Sequence, residues 1–357
     1  MKVLVINTDV FKQNGMSTII MNYYHQLKKK ISLDFTSIGE MDFFFQEQIA
    51  KKTNVYLLPP RKKKVLSYIL ELRKVVKENN YDIIHIHGNS SLMAIEQFAI
   101  KNMGNFKVIV HCHGSQSNYG FIEKFTRKYF CKHYDKAITV ELEKSYLFNE
   151  GEYEVLNNGI VMEKYYFDER KRNKLRSDFG LDDCTVLLHV GRMNNQKNHM
   201  YLLKMFKDYL NMDCDAKLIL IGSGMHENKI INKISDLEIT DSVILLGDVE
   251  EVFNWYSVAD VFVFPSLYEP FGLVAIEAQV NSLPCVFSNK VSQKIQVTDF
   301  VAYLPIEEKD IGQWVKLISE FKLLRKDQLR FELNNLMLQF DITHSANKLL
   351  SIYEKLM

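Results

Sequence analysis

The chain has few of the residues that break or cross-link structure. Fifteen glycines and six prolines in 357 residues are too few for a fibrous, linker-rich or disordered protein. The five cysteines, Cys112, Cys131, Cys184, Cys214 and Cys285, are odd in number and form no C-x-x-C pair, so neither a disulfide framework nor a zinc site is indicated. They read as small buried apolar residues. No apolar run approaches the ~20 residues that cross a bilayer. The opening MKVLVINTDVF meets Asp9 too early for a secretory signal, so the expectation is a cytoplasmic protein. A G-x-G-x-x-G is also missing after the first apolar run, where the sequence reads INTDVFKQNG. Without those glycines a dinucleotide pyrophosphate has no close approach to the first helix, which excludes a Rossmann-type oxidoreductase.

Apolar residues make up 47% of the chain and charged residues 25%, enough for large cores, and the length favours two domains. The net charge of +1 conceals an asymmetry, because residues 1–150 carry +8 and the remainder −7. The halves therefore differ in electrostatic character and in partner. In the first half VLVIN, LDFTSI, NVYLLP, IIHIHG, KVIVHCHG and KAITVE are rich in β-branched residues and read as buried strands. Helical periodicity fills the gaps: Val65, Tyr68, Ile69, Leu72 and Val76 recur every three or four residues. A second series runs through TVLLHVGR, AKLILIGSG, SVILLGD, DVFVFPS and LPCVFSN, each followed by a helix candidate. Two strand–helix series imply an α/β protein of two doubly wound, Rossmann-like domains with parallel sheets. The junction is expected near EVLNNGIVMEKY, residues 154–165, whose Asn-Asn-Gly resists regular structure. The domains are accordingly 1–160 and 161–340.

In open parallel sheets ligands bind beyond the carboxyl ends of the strands, where helix N-termini favour anions. Four consecutive strand ends of the second series carry suggestive residues: Arg192 and Lys197, then Gly222 to Gly224, then Asp248 and Val249, then the loop of Glu269. In FPSLYEPFGLVAIEA, Glu269 and Glu277 have seven residues between them, across a turn into a helix. Arg192 and Lys197 can neutralise a diphosphate, and the backbone N–H groups of Gly272, Leu273 and Val274 can donate to its oxygens. Glu277 is suited to accepting two hydroxyl hydrogen bonds from a ribose, and Glu269 to doing the same for a second sugar. A diphosphate between two polyols describes a nucleotide sugar.

The segments HVGRMNNQKNHMYLLKMF, LILIGSGMHENKI, VILLGDVEEVFNWYSVADVFVFPSLYEPFGLVAIEAQ and VLNNGI resemble the retaining GT-B glycosyltransferases of family 4 (glycosyl transferases group 1), and among them the bacterial capsule and exopolysaccharide members. The resemblance runs from NGMSTIIMNYYHQL to the last helix, and its most specific part is the E-x7-E pair with the upstream Arg and Lys. It implies a GT-B fold of two Rossmann-like domains facing each other across a cleft, the first binding acceptor and the second donor, with a C-terminal helix, 341–357, crossing back to the first domain. It implies that Glu277 holds the donor ribose, Glu269 the transferred sugar, Arg192 and Lys197 the diphosphate. Gly222, Gly224 and Val249 would surround the base, and Phe271 would belong to the donor loop with Gly272, Leu273 and Val274. Gly15 and His113 would come from the first domain, His113 near the donor sugar. The sequence departs from the family pattern at Asn14-Gly15, where many relatives have Gly-Gly, and at His111-Cys112-His113-Gly114, where others read His-x-His-Asn. The expected reaction is metal-independent hexosyl transfer with retention, without cofactor, from a UDP-sugar or GDP-sugar to a saccharide or lipid-linked acceptor.

Plainer readings compete. Glu269 and Glu277 taken alone are helix-terminal charges suited to the macrodipole; the matching Arg192 and Lys197 favour the site. Gly15 is equally a plain turn glycine. His85, His87, His111 and His113 alternate on neighbouring strand ends, but no carboxylate cluster accompanies them, so no metal is expected. His113 is the functional candidate, and His85 and His111 read as hydrogen-bonded packing residues. The runs Lys28 to Lys30 and Arg61 to Lys64 read as solvated helix ends, or as contacts to an anionic membrane surface that would make the protein peripheral at the inner face of the cell membrane. No nucleic acid partner is expected. A catalytically silent GT-B partner subunit and a GT-B sugar-nucleotide epimerase are the alternatives. The first should have lost donor ligands that this chain retains, and the second needs additional acids that the sequence does not offer.

Overall fold

A computed structural model describes all residues except 13, 115–119, 141–144, 146, 150, 270 and 325–334. The chain forms two compact units, Met1–Ile160 with Gln339–Met357, and Val161–Leu338.

The first unit is built in the order β1 (Lys2–Asn7), α1 (Gly15–Leu27), β2 (Ser32–Ile38), α2 (Phe43–Gln46), β3 (Val55–Leu58), α3 (Val65–Glu78), β4 (Ile83–Gly88), α4 (Ala94–Ile100), β5 (Lys107–Cys112), α5 (Gly120–Phe130), β6 (Lys136–Thr139) and β7 (Glu154–Val155). Its sheet is parallel with order β3-β2-β1-β4-β5-β6-β7. The β-branched runs explain the centre: β1 and β4 are almost wholly buried, as a strand covered on both faces must be. NVYLLP is an exception, because β3 lies at the sheet edge and is half-exposed. Strand β6 ends at Thr139, and Glu141 of KAITVE lies outside the described residues. The strand order reverses between β1 and β4, the point beyond which ligands bind in such sheets.

The second unit contains α6 (Glu169–Asp178), β8 (Val186–Val190), α7 (His199–Leu210), β9 (Lys217–Ile221), α8 (Glu227–Asp236), β10 (Val243–Gly247), α9 (Val252–Val258), β11 (Val261–Phe264), α10 (Leu273–Val280), β12 (Cys285–Ser288), β13 (Val301–Leu304), α11 (Ile311–Phe321) and α12 (Asn335–Leu338). Its parallel sheet has order β10-β9-β8-β11-β12-β13, reversing between β8 and β11. The core against α7, α8 and α11 gathers Phe206, Tyr209, Leu218, Leu220 and Trp314, all fully buried. The last helix, α13 (Ile342–Leu356), belongs to the first unit and packs against α1.

Several sequence expectations are corrected here. Cys112 and Cys285 are buried, but Cys131 and Cys184 are only partly so and Cys214 is exposed. The junction expectation holds, by contrast: Asn157-Asn158-Gly159 is irregular, between β7 and a 3-10 turn, Met162–Tyr165. Arg61 is not a solvated helix end. Its Nη1 lies 2.9 and 3.0 Å from the two oxygens of Glu96, a fully buried carboxylate that also accepts from the Tyr68 hydroxyl at 2.8 Å.

Candidate functional site

In the second unit the loops that follow β8 and β11, the strands flanking the order reversal, are stitched together. Leu267 N donates to Gln196 O at 2.8 Å, Gln196 Nε2 to Tyr268 O at 3.1 Å and Asn198 Nδ2 to Pro265 O at 3.1 Å. The stitching carries Lys197 to Glu269, with Nζ 2.5 Å from Oε2, and both side chains are about nine-tenths buried (12% and 9% exposed). The Lys197 ammonium also sits 4.4 Å from the centroid of the Phe264 ring. The sequence reading puts Lys197 on the diphosphate and Glu269 on the transferred sugar; the structure pairs them. An ammonium has N–H donors beyond the one given to Glu269, so the pairing does not exhaust Lys197. Arg192 is exposed and has no charged partner among the described residues.

Helix α10 begins where Gly272 adopts a left-handed conformation, φ 72°, that favours glycine. A Cβ there would also lie 2.9 Å from Glu269 Cγ, so the turn and the Glu269 side chain fit only around glycine. Phe271 is buried, and Leu273 and Val274 are half-buried in the first turn, whose N–H groups lack helical acceptors. One turn further on, Glu277 is 8% exposed. Its Oε2 accepts from the Tyr256 hydroxyl at 2.7 Å, and the Tyr165 phenol neighbours the same carboxylate. Burial pushes the Glu277 carboxyl above the ordinary carboxylate range, opposed by the two phenols and by the charge of Lys197.

The remaining strand ends join the same loops. Gly222 has φ 124°, and a Cβ on it would stand 2.4 Å from Gly191 O, so only glycine lets the 222–224 loop approach the loop after β8 this closely. Met193 N donates to Ser223 O at 2.8 Å, Gly222 N to Gly247 O at 2.7 Å, and Ser223 Oγ to Asp248 Oδ2 at 2.6 Å. Gly224 sits against Met193 in the same set of loops, and Val249 is half-buried just beyond Asp248. Arg192, Lys197, Gly222, Gly224, Val249, Glu269, Gly272 and Glu277 thus gather at the carboxyl end of one sheet.

In the first unit Gly15 opens α1, and a Cβ there would meet nothing within 4 Å. Nothing inside the fold therefore demands glycine at 15. Asn14 is the N-cap, accepting from Ser17 N at 2.9 Å. The four histidine rings pack against one another. His85 and His111 are 5.4 Å apart by centroid and 4° from parallel, and His87 and His113 5.1 Å and 15°. Centroids are 4.0 Å apart at His85–His87 and 4.2 Å at His111–His113. His87 Nδ1 and His113 Nε2 share a hydrogen bond of 2.8 Å, and His85 Nδ1 meets the Tyr353 hydroxyl at 2.7 Å. His111 departs from the expectation of a hydrogen-bonded packing residue, since both its ring nitrogens are buried without a partner among the described residues. Burial pushes all four imidazoles down, His113 to about 3, so they are neutral at ordinary pH. Ligand nitrogens of His85, His87 and His111 lie within 4.8 Å of one another, close enough for the trio to hold a cation. Alternation within each strand puts each pair on one sheet face; the β4–β5 register, which sets His87 beside His111, merges them.

Sequence reasoning missed Tyr256 and Tyr165. They lie 21 and 112 residues before Glu277, and no periodicity connects residues so far apart.

Residues 13–164 match the family model described as Glycosyltransferase Family 4, and residues 171–335 the model described as Glycosyl transferases group 1. A protein of Bacillus subtilis (strain 168) that carries the glycosyltransferase name EpsF is 25% identical, covering 96% of this chain and 93% of its own. The Escherichia coli protein named UDP-Gal:alpha-D-GlcNAc-diphosphoundecaprenol alpha-1,3-galactosyltransferase is 28% identical over 71% of this chain and 70% of its own. Among solved structures, Anabaena HepE in complex with UDP shares the fold with a TM-score of 0.79 at 15% identity, over 99% of this chain and 100% of that one.

Proposed function

The chain belongs to the glycosyl transferases group 1 of Glycosyltransferase Family 4, and from that premise we propose a retaining, metal-independent hexosyl transfer from a nucleotide sugar to a saccharide or lipid-linked saccharide in capsule or exopolysaccharide assembly. UDP is the preferred nucleotide and GDP the competing one. The observation that carries the reading is the gathering of Arg192, the Lys197–Glu269 pair and buried Glu277 at the carboxyl ends of β8 and β11. The HepE complex with UDP supports a nucleotide donor, and the lipid diphosphate in the Escherichia coli relative's name supports a lipid-linked acceptor.

In this proposal Glu277 accepts from the ribose hydroxyls and Glu269 from hydroxyls of the transferred sugar. Gly222, Gly224, Val249 and the Phe271 loop enclose the base. Arg192, Lys197 and the α10 N-terminus at Gly272, Leu273 and Val274 receive the diphosphate. The bond between the sugar's anomeric carbon and the diphosphate oxygen breaks while the acceptor oxygen bonds to that carbon from the same face. The acceptor proton passes to the departing diphosphate, so no redox partner or covalent enzyme intermediate is needed. Catalysis rests on opposing the charge that builds on the leaving group. With UDP-hexoses or GDP-hexoses and no acceptor, slow release of the nucleoside diphosphate should follow. Release from none of them would remove the donor assignment.

The acceptor side belongs to the +8 half. Helices α3, α4 and α5 pack side by side and expose Leu66 (75%), Leu70 (66%), Phe98 (56%), Ile122 (52%) and Phe125 (72%). Exposed Lys62, Lys63, Lys64, Lys124, Arg127 and Lys128 accompany them. Apolar side chains among cations suit an interfacial position on an anionic bilayer, and no helix among the described residues is long and apolar enough to cross one. Sedimentation with anionic but not neutral liposomes is the expected result, declining as salt rises. At ~1 kcal/mol per lysine, replacing Lys62, Lys63 and Lys64 by Glu should weaken it by roughly 100-fold. Arg61 must stay, because Arg61→Glu would set a second carboxylate against buried Glu96 and cost about 3–5 kcal/mol of stability. Binding indifferent to lipid charge would refute the membrane reading.

A further inference from the structure

Glu277 has more holding it than a surface carboxylate needs. Tyr256 reaches it from α9 and Tyr165 from the end of the 3-10 turn Met162–Tyr165, so three separate elements converge on one carboxyl group. Each phenol is fixed by packing that does not depend on Glu277. Tyr256 packs on Phe262 at 5.9 Å between ring centroids, Tyr165 on Phe253 at 6.4 Å, and the two phenols on each other at 5.9 Å. The turn that carries Tyr165 is itself tied to the end of α10, where buried Asn281 donates from Nδ2 to Tyr165 O at 2.8 Å and to Ser257 Oγ at 3.1 Å.

A carboxylate has about four lone-pair sites, so the Tyr256 bond, with the Tyr165 phenol beside it, leaves enough of them open for the two hydroxyls of a vicinal diol. We propose, building on the ribose reading of Glu277, that Tyr165 and Tyr256 are positioning residues that hold the Glu277 carboxyl with its open acceptors aimed at a ribose diol, and so make the site select ribonucleotides over 2′-deoxyribonucleotides. A 2′-deoxyribose would leave one buried acceptor without a donor, and a site built to bond a hydroxyl rejects the analogue lacking it. The phenols stay protonated donors, since burial and the neighbouring Glu277 push both well above the usual tyrosine range. The charged or titratable groups facing Glu277 are Tyr256 from α9, Tyr165 from the turn and Lys197 from the loop before α7. Of these, Tyr256 bonds to it, at 2.7 Å.

The test is calorimetric titration of the full chain with UDP and GDP and with their 2′-deoxy analogues, across pH. The variants are Tyr165→Phe, Tyr256→Phe, the double variant and Glu277→Gln. Phenylalanine keeps the ring packing, so the variants should fold, with melting temperatures lowered by no more than the loss of a buried hydrogen bond to a carboxylate. Each single variant should bind the preferred nucleotide several-fold more weakly, and the double more than about tenfold. The preference over the deoxy analogue should shrink. Without its phenols the Glu277 carboxyl should rise further, so the loss of affinity on acidification should begin at a higher pH. In a Glu277→Gln background the tyrosine substitutions should change little more. If Glu277→Gln weakens nucleotide binding but the tyrosine variants keep wild-type affinity, deoxy discrimination and pH dependence, the positioning role is overturned. If Glu277→Gln itself leaves nucleotide affinity unchanged, it is the ribose reading that fails.

Discussion

Glu277→Gln should weaken the binding of free UDP or GDP by roughly 10- to 100-fold, while Glu269→Gln should leave it within about twofold and reduce transfer instead. The difference follows from what each carboxylate faces. Glu277 is buried one turn into α10 beside Tyr256 and Tyr165, and in the proposal its remaining acceptors serve the nucleotide. Glu269 lies before the helix, against Lys197, where the proposed donor sugar would sit, and free nucleoside diphosphate has no sugar there. Glutamine is the right replacement at 269 because it keeps an acceptor for Lys197. Alanine would strand a cation that is only 12% exposed, and an uncompensated buried charge costs about 3–5 kcal/mol. Titration calorimetry with a transfer assay separates the two roles: wild-type nucleotide affinity in Glu277→Gln would remove the ribose assignment, and wild-type transfer in Glu269→Gln the sugar assignment.

The second large effect concerns leaving-group charge. Arg192 is exposed and has no charged partner among the described residues, whereas Lys197 is held in place by Glu269 and by the Phe264 ring. If these cations stand in for a divalent metal, Arg192→Ala should lower kcat by roughly 100- to 1000-fold and change donor affinity much less, because the charge on the diphosphate is greatest in the transition state. Activity should survive a chelator and gain nothing from magnesium or manganese. Loss on chelation restored by either ion would contradict this account. Restoration by zinc alone would point instead to His85, His87 and His111, whose nitrogens already converge to within 4.8 Å and whose imidazoles suit a softer ion.

The fold was legible where burial on both faces leaves a continuous apolar run. Strands β1, β4, β8 and β11 read directly, and because parallel sheets collect ligands at their carboxyl ends, the residues after β8 and β11 read as a site. Strand β13 did not. VAYL is only half-buried, at the sheet edge, and it follows a 3-10 turn rather than a helix, so it breaks the alternation that identified the others. The site was legible only for residues close in sequence to a strand end. Arg61 looked like part of a solvated basic run because its partner, Glu96, sits 35 residues away in α4. Tyr165 and Tyr256 reach Glu277 through tertiary packing that leaves no local pattern. The histidine cluster needed the register between β4 and β5, which alternation within each strand does not supply.

The most direct test of the central claim is NMR of a reaction mixture containing the protein, an α-configured UDP-hexose or GDP-hexose and a lipid-linked saccharide acceptor. The account predicts nucleoside diphosphate formed in step with a new glycoside whose anomeric configuration is α, with magnesium and manganese absent. A β-linked product would contradict retention, and a full panel of such donors left unconsumed would contradict the assignment of Arg192, Lys197, Glu269 and Glu277 to a nucleotide-sugar site.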